Sequence, residues 1–173
     1  RATLYAGVKS GTSVSVKFYV TTVIGGQTYY STLTRTFSLT NTALPTFSPT
    51  LIDTNPQTVA LTGDNTRFIR YMSEVSYTTG VSAKQGATIV SQSITNSSQT
   101  ITNSSSGTMG IETDTFRFYA VDSRNNSVTQ NVTVDMIPYT KLTGNLKVTP
   151  PGANGKVKIS VSGNYWLGVF DRD

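Results

Sequence analysis

Alternation of apolar and polar residues is strongest in the stretch VSVKFYVTTVIGGQTYYSTLTRTFSL. Gly25-Gly26 can take the positive φ angles of a two-residue hairpin turn, and pairing outward from Ile24 opposite Gln27 sorts the side chains by face. Val14, Val16, Phe18, Val20 and Ile24 then share one face with Phe37, Leu33 and Tyr29, while Ser15, Lys17 and Thr21 share the other with Thr36, Thr34 and Tyr30. A slip by one residue would set the apolar face of one strand against the threonine face of the other, so the register is well specified. The pattern predicts one hairpin over 14–37, with Phe18 and Leu33 buried and Lys17 and Thr34 exposed.

A second alternating stretch, TFRFYAVDSRNNSVTQNVTVDM, predicts another hairpin. Asp122 paired with Val128 across a loop at 123–127 puts Phe116, Phe118 and Ala120 on the face of Val132 and Val134. Asn125 or Asn126 can supply the left-handed residue of that loop. Between the two hairpins, short runs predict strands at 57–61, 74–78, 87–95 and 99–102, separated by turn-rich pieces such as Thr62-Gly63-Asp64-Asn65. Beyond the second hairpin, 142–149, 156–161 and 165–170 read as further strands.

Two breaks organise these elements. NTALPTFSPTLIDTNP concentrates Pro, Thr and Asn, the composition of a joint running into an edge strand, and Pro138 in IPYTKL cannot continue the preceding ladder. The expected division is 1–43 as the C-terminal part of a β domain, 44–137 as a whole unit, and 138–173 as the truncated start of another. The middle unit, about 95 residues, has the length of an immunoglobulin-like sandwich. Arg1-Ala2-Thr3-Leu4 reads as entering mid-strand with no initiator Met, and both ends read as cut from something longer. The fold class is therefore all-β, with tandem immunoglobulin-like sandwich modules of which the outer ones are incomplete.

Composition agrees with strands joined by polar turns: 13% of the residues are charged, 36% are hydrophobic, and Thr, Ser, Asn, Gly and Tyr are abundant. The formal charge of +5 comes from 14 basic and 9 acidic residues. The basic residues are spread along the chain, so no block reads as a nucleic-acid arm, although the summed field attracts polyanions such as anionic wall polymers weakly. With no Cys, thiolate chemistry, disulfides and sulfur-bound metals are excluded. No stretch approaches the roughly 18 apolar residues of a membrane span, and no signal-peptide pattern opens the chain.

The absence of His removes the commonest general base and the commonest metal ligand. Glu112 with Asp114, and Asp171 with Asp173, have the one-residue spacing that some calcium sites use, but neither pair has a third acid near it in sequence. They read as solvated loop charges. No glycine-rich phosphate loop or nucleophile elbow occurs, and the sequon matches Asn125-Asn126-Ser127 and Asn131-Val132-Thr133 are ordinary for this composition. No catalytic residue, cofactor-binding residue or metal ligand is assigned. Tyr19, Tyr30 and Trp166 are the candidates for stacking on a sugar ring, with nearby Thr and Asn as hydrogen-bonding partners.

DTNPQTVALTGDN, KQGATIVSQSI, YAVDSRNNSVTQNVTV, IPYTKLTGNLKV and SGNYWLGVF, in that order, resemble an uncharacterised family of siphovirus tail proteins. These are often labelled minor structural proteins, in phages of streptococci and related Gram-positive hosts. The resemblance runs from about Asp53 to Phe170; Asn125 stands where similar loops usually carry glycine. It implies a non-enzymatic tail-tip or host-adhesion component of the virion, spacing or presenting a receptor-binding part. Its implied partners are other tail proteins and host cell-wall polysaccharide, with homo-oligomers among the expected assemblies and neither nucleic acid nor membrane as a partner. A bacterial cell-surface adhesin repeat and a carbohydrate-binding accessory module are the alternatives.

Overall fold

The computed structural model describes residues 2–39, 43–151, 153 and 155–170. It opens with a one-and-a-half-turn helix, α1 (Ala2–Gly7), where the sequence reads as an entering strand. Alanine and leucine favour the helix, and among the described residues no strand pairs with the segment.

Strands β1 (Ser13–Ile24) and β2 (Gln27–Ser38) form the long hairpin in the expected register, with Ile24 opposite Gln27 and Phe18 opposite Leu33. Gly25 and Gly26 carry φ of 58° and 79° at the turn. Lys17 and Thr34 are exposed as expected, but the expected burial of Phe18 and Leu33 is not met: they are 43% and 46% exposed. The pattern defines an apolar face, yet among the described residues the ribbon has only its own two strands and contributes nothing to the hydrophobic core.

The middle of the chain holds that core. Strands β3 (Thr50–Asp53), β5 (Glu74–Thr78) and β8 (Ser106–Gly110) make one sheet in the order β3-β5-β8. Strands β6 (Ile89–Asn96), β7 (Gln99–Thr102), β9 (Thr115–Asp122) and β10 (Ser127–Thr133) make another in the order β10-β9-β6-β7. A short parallel pair joins β4 (Arg67–Ile69) to β11 (Asp135–Ile137). Val75 and Tyr77 from the first sheet meet Ile94, Phe116 and Phe118 from the second, with Phe68, Met109 and Ile111 completing the cluster. Val132, Val134 and Phe47 pack on its edge, Phe47 with its ring centroid 5.7 Å from that of Phe118. The molecule is mostly β, built as layered sheets and without a barrel.

Two expectations in this region need correction. The segment expected as a strand at 57–61 is helix α2 (Pro56–Thr62). Asn55 caps it by accepting a hydrogen bond from the Gln57 N–H at 3.0 Å, Pro56 sits in its first turn, and Gly63 closes it at φ 73°. The hairpin of β9 and β10 pairs Val128 with Ala120, two residues from the expected partner Asp122. An even shift preserves the faces, so Phe116 and Phe118 are still buried beside Val132 and Val134. Asp122 is drawn into the loop because its side chain gathers the loop amides.

Strands β12 (Thr143–Thr149) and β13 (Lys158–Asn164) form a second two-stranded ribbon. The strand expected at 165–170 is absent. This segment instead folds over itself, with the Trp166 and Phe170 ring centroids 4.6 Å apart.

Candidate functional site

The β9–β10 loop connects distant parts of the chain. Asp122, 2% exposed, accepts hydrogen bonds from the backbone N–H of Arg124 and of Asn126, both at 2.9 Å, and from Asn126 Nδ2 at 3.0 Å. Asn125 takes the left-handed turn at φ 66°. Burial pushes the Asp122 carboxyl up, but the hydrogen bonds from the Asn126 side chain and backbone and from the Arg124 backbone, with the Arg124 charge nearby, outweigh it. The net result lies below the ordinary aspartate value.

So held, the loop aims Arg124 at four backbone carbonyls. Its guanidinium donates to Tyr5 at 2.6 Å, Val8 at 2.7 Å, Gln85 at 2.8 Å and Lys84 at 3.3 Å, and lies 5.6 Å from the Tyr5 ring centroid. The Tyr5 carbonyl lies in the last turn of α1 and Val8 follows directly after it, at the helix end where a cation is favoured. Ser123 adds to the joint: its hydroxyl accepts from the Thr88 N–H at 3.2 Å and donates to the Lys9 carbonyl. Arg124 lies inside a loop that reads from sequence only as a turn. Its guanidinium partners at Tyr5 and Val8 are 119 and 116 residues away, beyond any local pattern.

A second joint forms around Pro138. Tyr71 adopts φ 63°, unusual for so bulky a residue, and donates its backbone N–H to Ile111 at 2.9 Å. This conformation presents its ring to two cations, with Arg70 4.6 Å and Lys141 5.0 Å from the centroid. Tyr139 packs edge-on against Trp166 at 5.6 Å and tilted against Phe170 at 6.4 Å.

The three residues expected to stack on sugars fall in two different settings. Tyr19 and Tyr30 are 76% and 81% exposed on one face of the β1–β2 ribbon, among Thr21, Thr32 and Thr34, with Lys17 Nζ 5.3 Å from the Tyr19 ring. That face belongs to a two-stranded sheet. Trp166 is instead engaged by Tyr139 and Phe170, and Gly168 lies so close that a Cβ there would come within 2.2 Å of the indole.

Of the acidic pairs, Glu112 accepts from the Ser98 hydroxyl at 3.4 Å and Asp114 from the Thr115 hydroxyl at 2.9 Å. Asp171 and Asp173 lie outside the described residues. Among the described residues no group of three His, Cys, Asp or Glu comes together as a metal would require.

The outer face of the four-stranded sheet carries an open groove of about 380 Å³ lined by Ser91, Gln92, Ser93, Thr102, Asn103 and Tyr119. The sequence reading did not single out Tyr119, although the alternation of β9 that turns Phe116 and Phe118 inward turns Tyr119 outward. No protein-family model, no curated protein and no solved structure matches this chain.

Proposed function

We propose that the chain is a non-enzymatic structural and host-adhesion segment of a phage tail tip, made of tandem immunoglobulin-like modules that space or present a receptor-binding part. The modules are 1–43, 44–137 and 138–173. The observation that carries this reading is the Arg124 joint, in which one side chain from the central sandwich binds backbone carbonyls of the segment before the first ribbon. A device of this kind has a purpose in a protein that must keep successive units in line. The aromatic and cation–ring contacts around Tyr139 and Tyr71 do the same at the other end. The resemblance to siphovirus tail proteins supplies the setting, with other tail proteins and wall polysaccharide as partners and the virion as location.

Residual dipolar couplings test the spacing role. The β1–β2 ribbon and the central sandwich should share one alignment tensor, and Arg124→Ala should give them two. Two independent tensors in the unaltered chain would overturn it. Deleting the segment from a phage that encodes it should give altered or poorly adsorbing tail tips, and normal adsorption would remove the tail assignment.

A further inference from the structure

We propose that the outer face of the β10-β9-β6-β7 sheet holds a saccharide-binding site, with Tyr119 as the platform for one pyranose ring. The register builds it. Across the sheet, Thr129, Tyr119, Ser93 and Thr102 stand in one row, and Asn131, Arg117, Thr95 and Thr100 in the next. One aromatic ring is thus set in a lattice of hydroxyls and amides.

Two backbone irregularities border this lattice. A register shift between Ile89 and Ser91 leaves Val90 as an extra residue, 64% exposed, on one strand of the groove. Opposite, Asn103 leaves the β-region at φ 55°, giving its backbone N–H to the Gln92 carbonyl at 2.8 Å while its side-chain oxygen accepts the Gln92 N–H at 3.3 Å. Bulges and left-handed residues of this kind recur beside binding sites because they redirect side chains at the end of a ladder.

The lining chooses the ligand. Six residues line the groove, all of them uncharged: Ser91, Ser93 and Thr102 bring three hydroxyls, Asn103 an amide and Tyr119 a phenol ring, while the Gln92 side chain turns to the core face with Ala120 and accepts from Thr79 Oγ1 at 2.8 Å. A metal ion finds no carboxylate there, and a phosphate finds no cation in the lining. A pyranose fits both halves of the chemistry, since its C–H face is apolar enough to stack on an aromatic ring and its equatorial hydroxyls take and give hydrogen bonds at the rim. The site has a single platform and an open shape, so binding is weak in one copy and gains by repetition when many copies share one surface.

The test uses the isotope-labelled chain and tetramers of N-acetylglucosamine, glucose and galactose, followed by amide chemical shifts. At least one tetramer should give saturable shifts centred on Tyr119, Ser93 and Thr102. Tyr119→Ala should weaken that binding about tenfold, the loss expected for removal of one stacking ring. Tyr119→Phe, which keeps the ring, should stay within about threefold. The shift map and the Phe variant decide the matter even if the Ala variant fails to fold. No saturable shifts with any tetramer, shifts centred on Tyr19 and Tyr30, or unchanged affinity in a folded Tyr119→Ala chain would each overturn the site. Binding is read on the chain alone, so the result stands apart from the tail assignment.

Discussion

Asp53 shows how one side chain organises its neighbourhood. It is 3% exposed at the end of β3, and its two oxygens receive Thr58 Oγ1 at 2.6 Å, Ser73 Oγ at 2.5 Å, the Asn55 N–H at 3.0 Å and the Glu74 N–H at 3.2 Å. These donors come from the start of α2 and from the turn before β5, so the residue ties strand, helix and turn together. Ser73 Oγ in turn accepts the Ile69 N–H at 2.7 Å. Replacing Asp53 by Ala leaves several buried donors without a partner, and each such loss is costly. The variant should lose about 3 kcal/mol or more in urea denaturation, with Asp53→Asn losing less because an amide oxygen still accepts. Equal, small losses in both variants would show that the donors find water instead. From sequence, Asp53 reads only as the end of a joint, because the two hydroxyls that meet it lie 5 and 20 residues away.

Elements were legible where their pattern was long and two-sided. The β1–β2 register follows from twelve facing pairs with contrasting faces, and β5 and β7 fall where their apolar runs place them. Helix α2 carries cap residues in Asn55, Pro56 and Gly63, but its seven residues are too few to show a helical period beside the proline-rich joint. The segments Arg67–Ile69, Ser106–Gly110 and Asp135–Ile137 are strands only because neighbours pair with them; three to five residues, one run with two glycines, carry no period of their own. The β9–β10 loop makes a prediction at this scale. The lowered value of Asp122 in the folded chain means that its contribution is complete above the ordinary carboxylate range and is lost as pH falls through that lowered value. The acid side of the stability profile, below about pH 4, should therefore be flatter in Asp122→Asn than in the unaltered chain. Parallel profiles from thermal melts at each pH would contradict it. The candidate groove was half legible: alternation turns Tyr119 outward, but its walls depend on the bulge at Val90 and the turn at Asn103, which no period announces.

At the scale of the molecule, one buried cluster among the described residues serves both larger sheets, because Tyr77 of one and Phe118 of the other sit in it fully covered. Phe118→Ala should cost about 3 to 5 kcal/mol, and tryptophan-independent probes of β3-β5-β8 and β10-β9-β6-β7 should melt together. Separate transitions would mean that the sheets are stabilised independently. The parallel pair of β4 and β11 has a different kind of consequence. Its three residue pairs, with Arg67 Nε 3.1 Å from Asp135 Oδ2, look minor beside the long antiparallel ladders. The chain comes into β4 at one end and departs from β11 at the other, so tension transmitted along it slides the two strands past each other. All the bonds of the ladder are then strained at once, whereas a hairpin pulled open from its ends parts one bond at a time. A pull on the chain from its two sides would be resisted here, by a shear latch of three pairs placed across the path of the force.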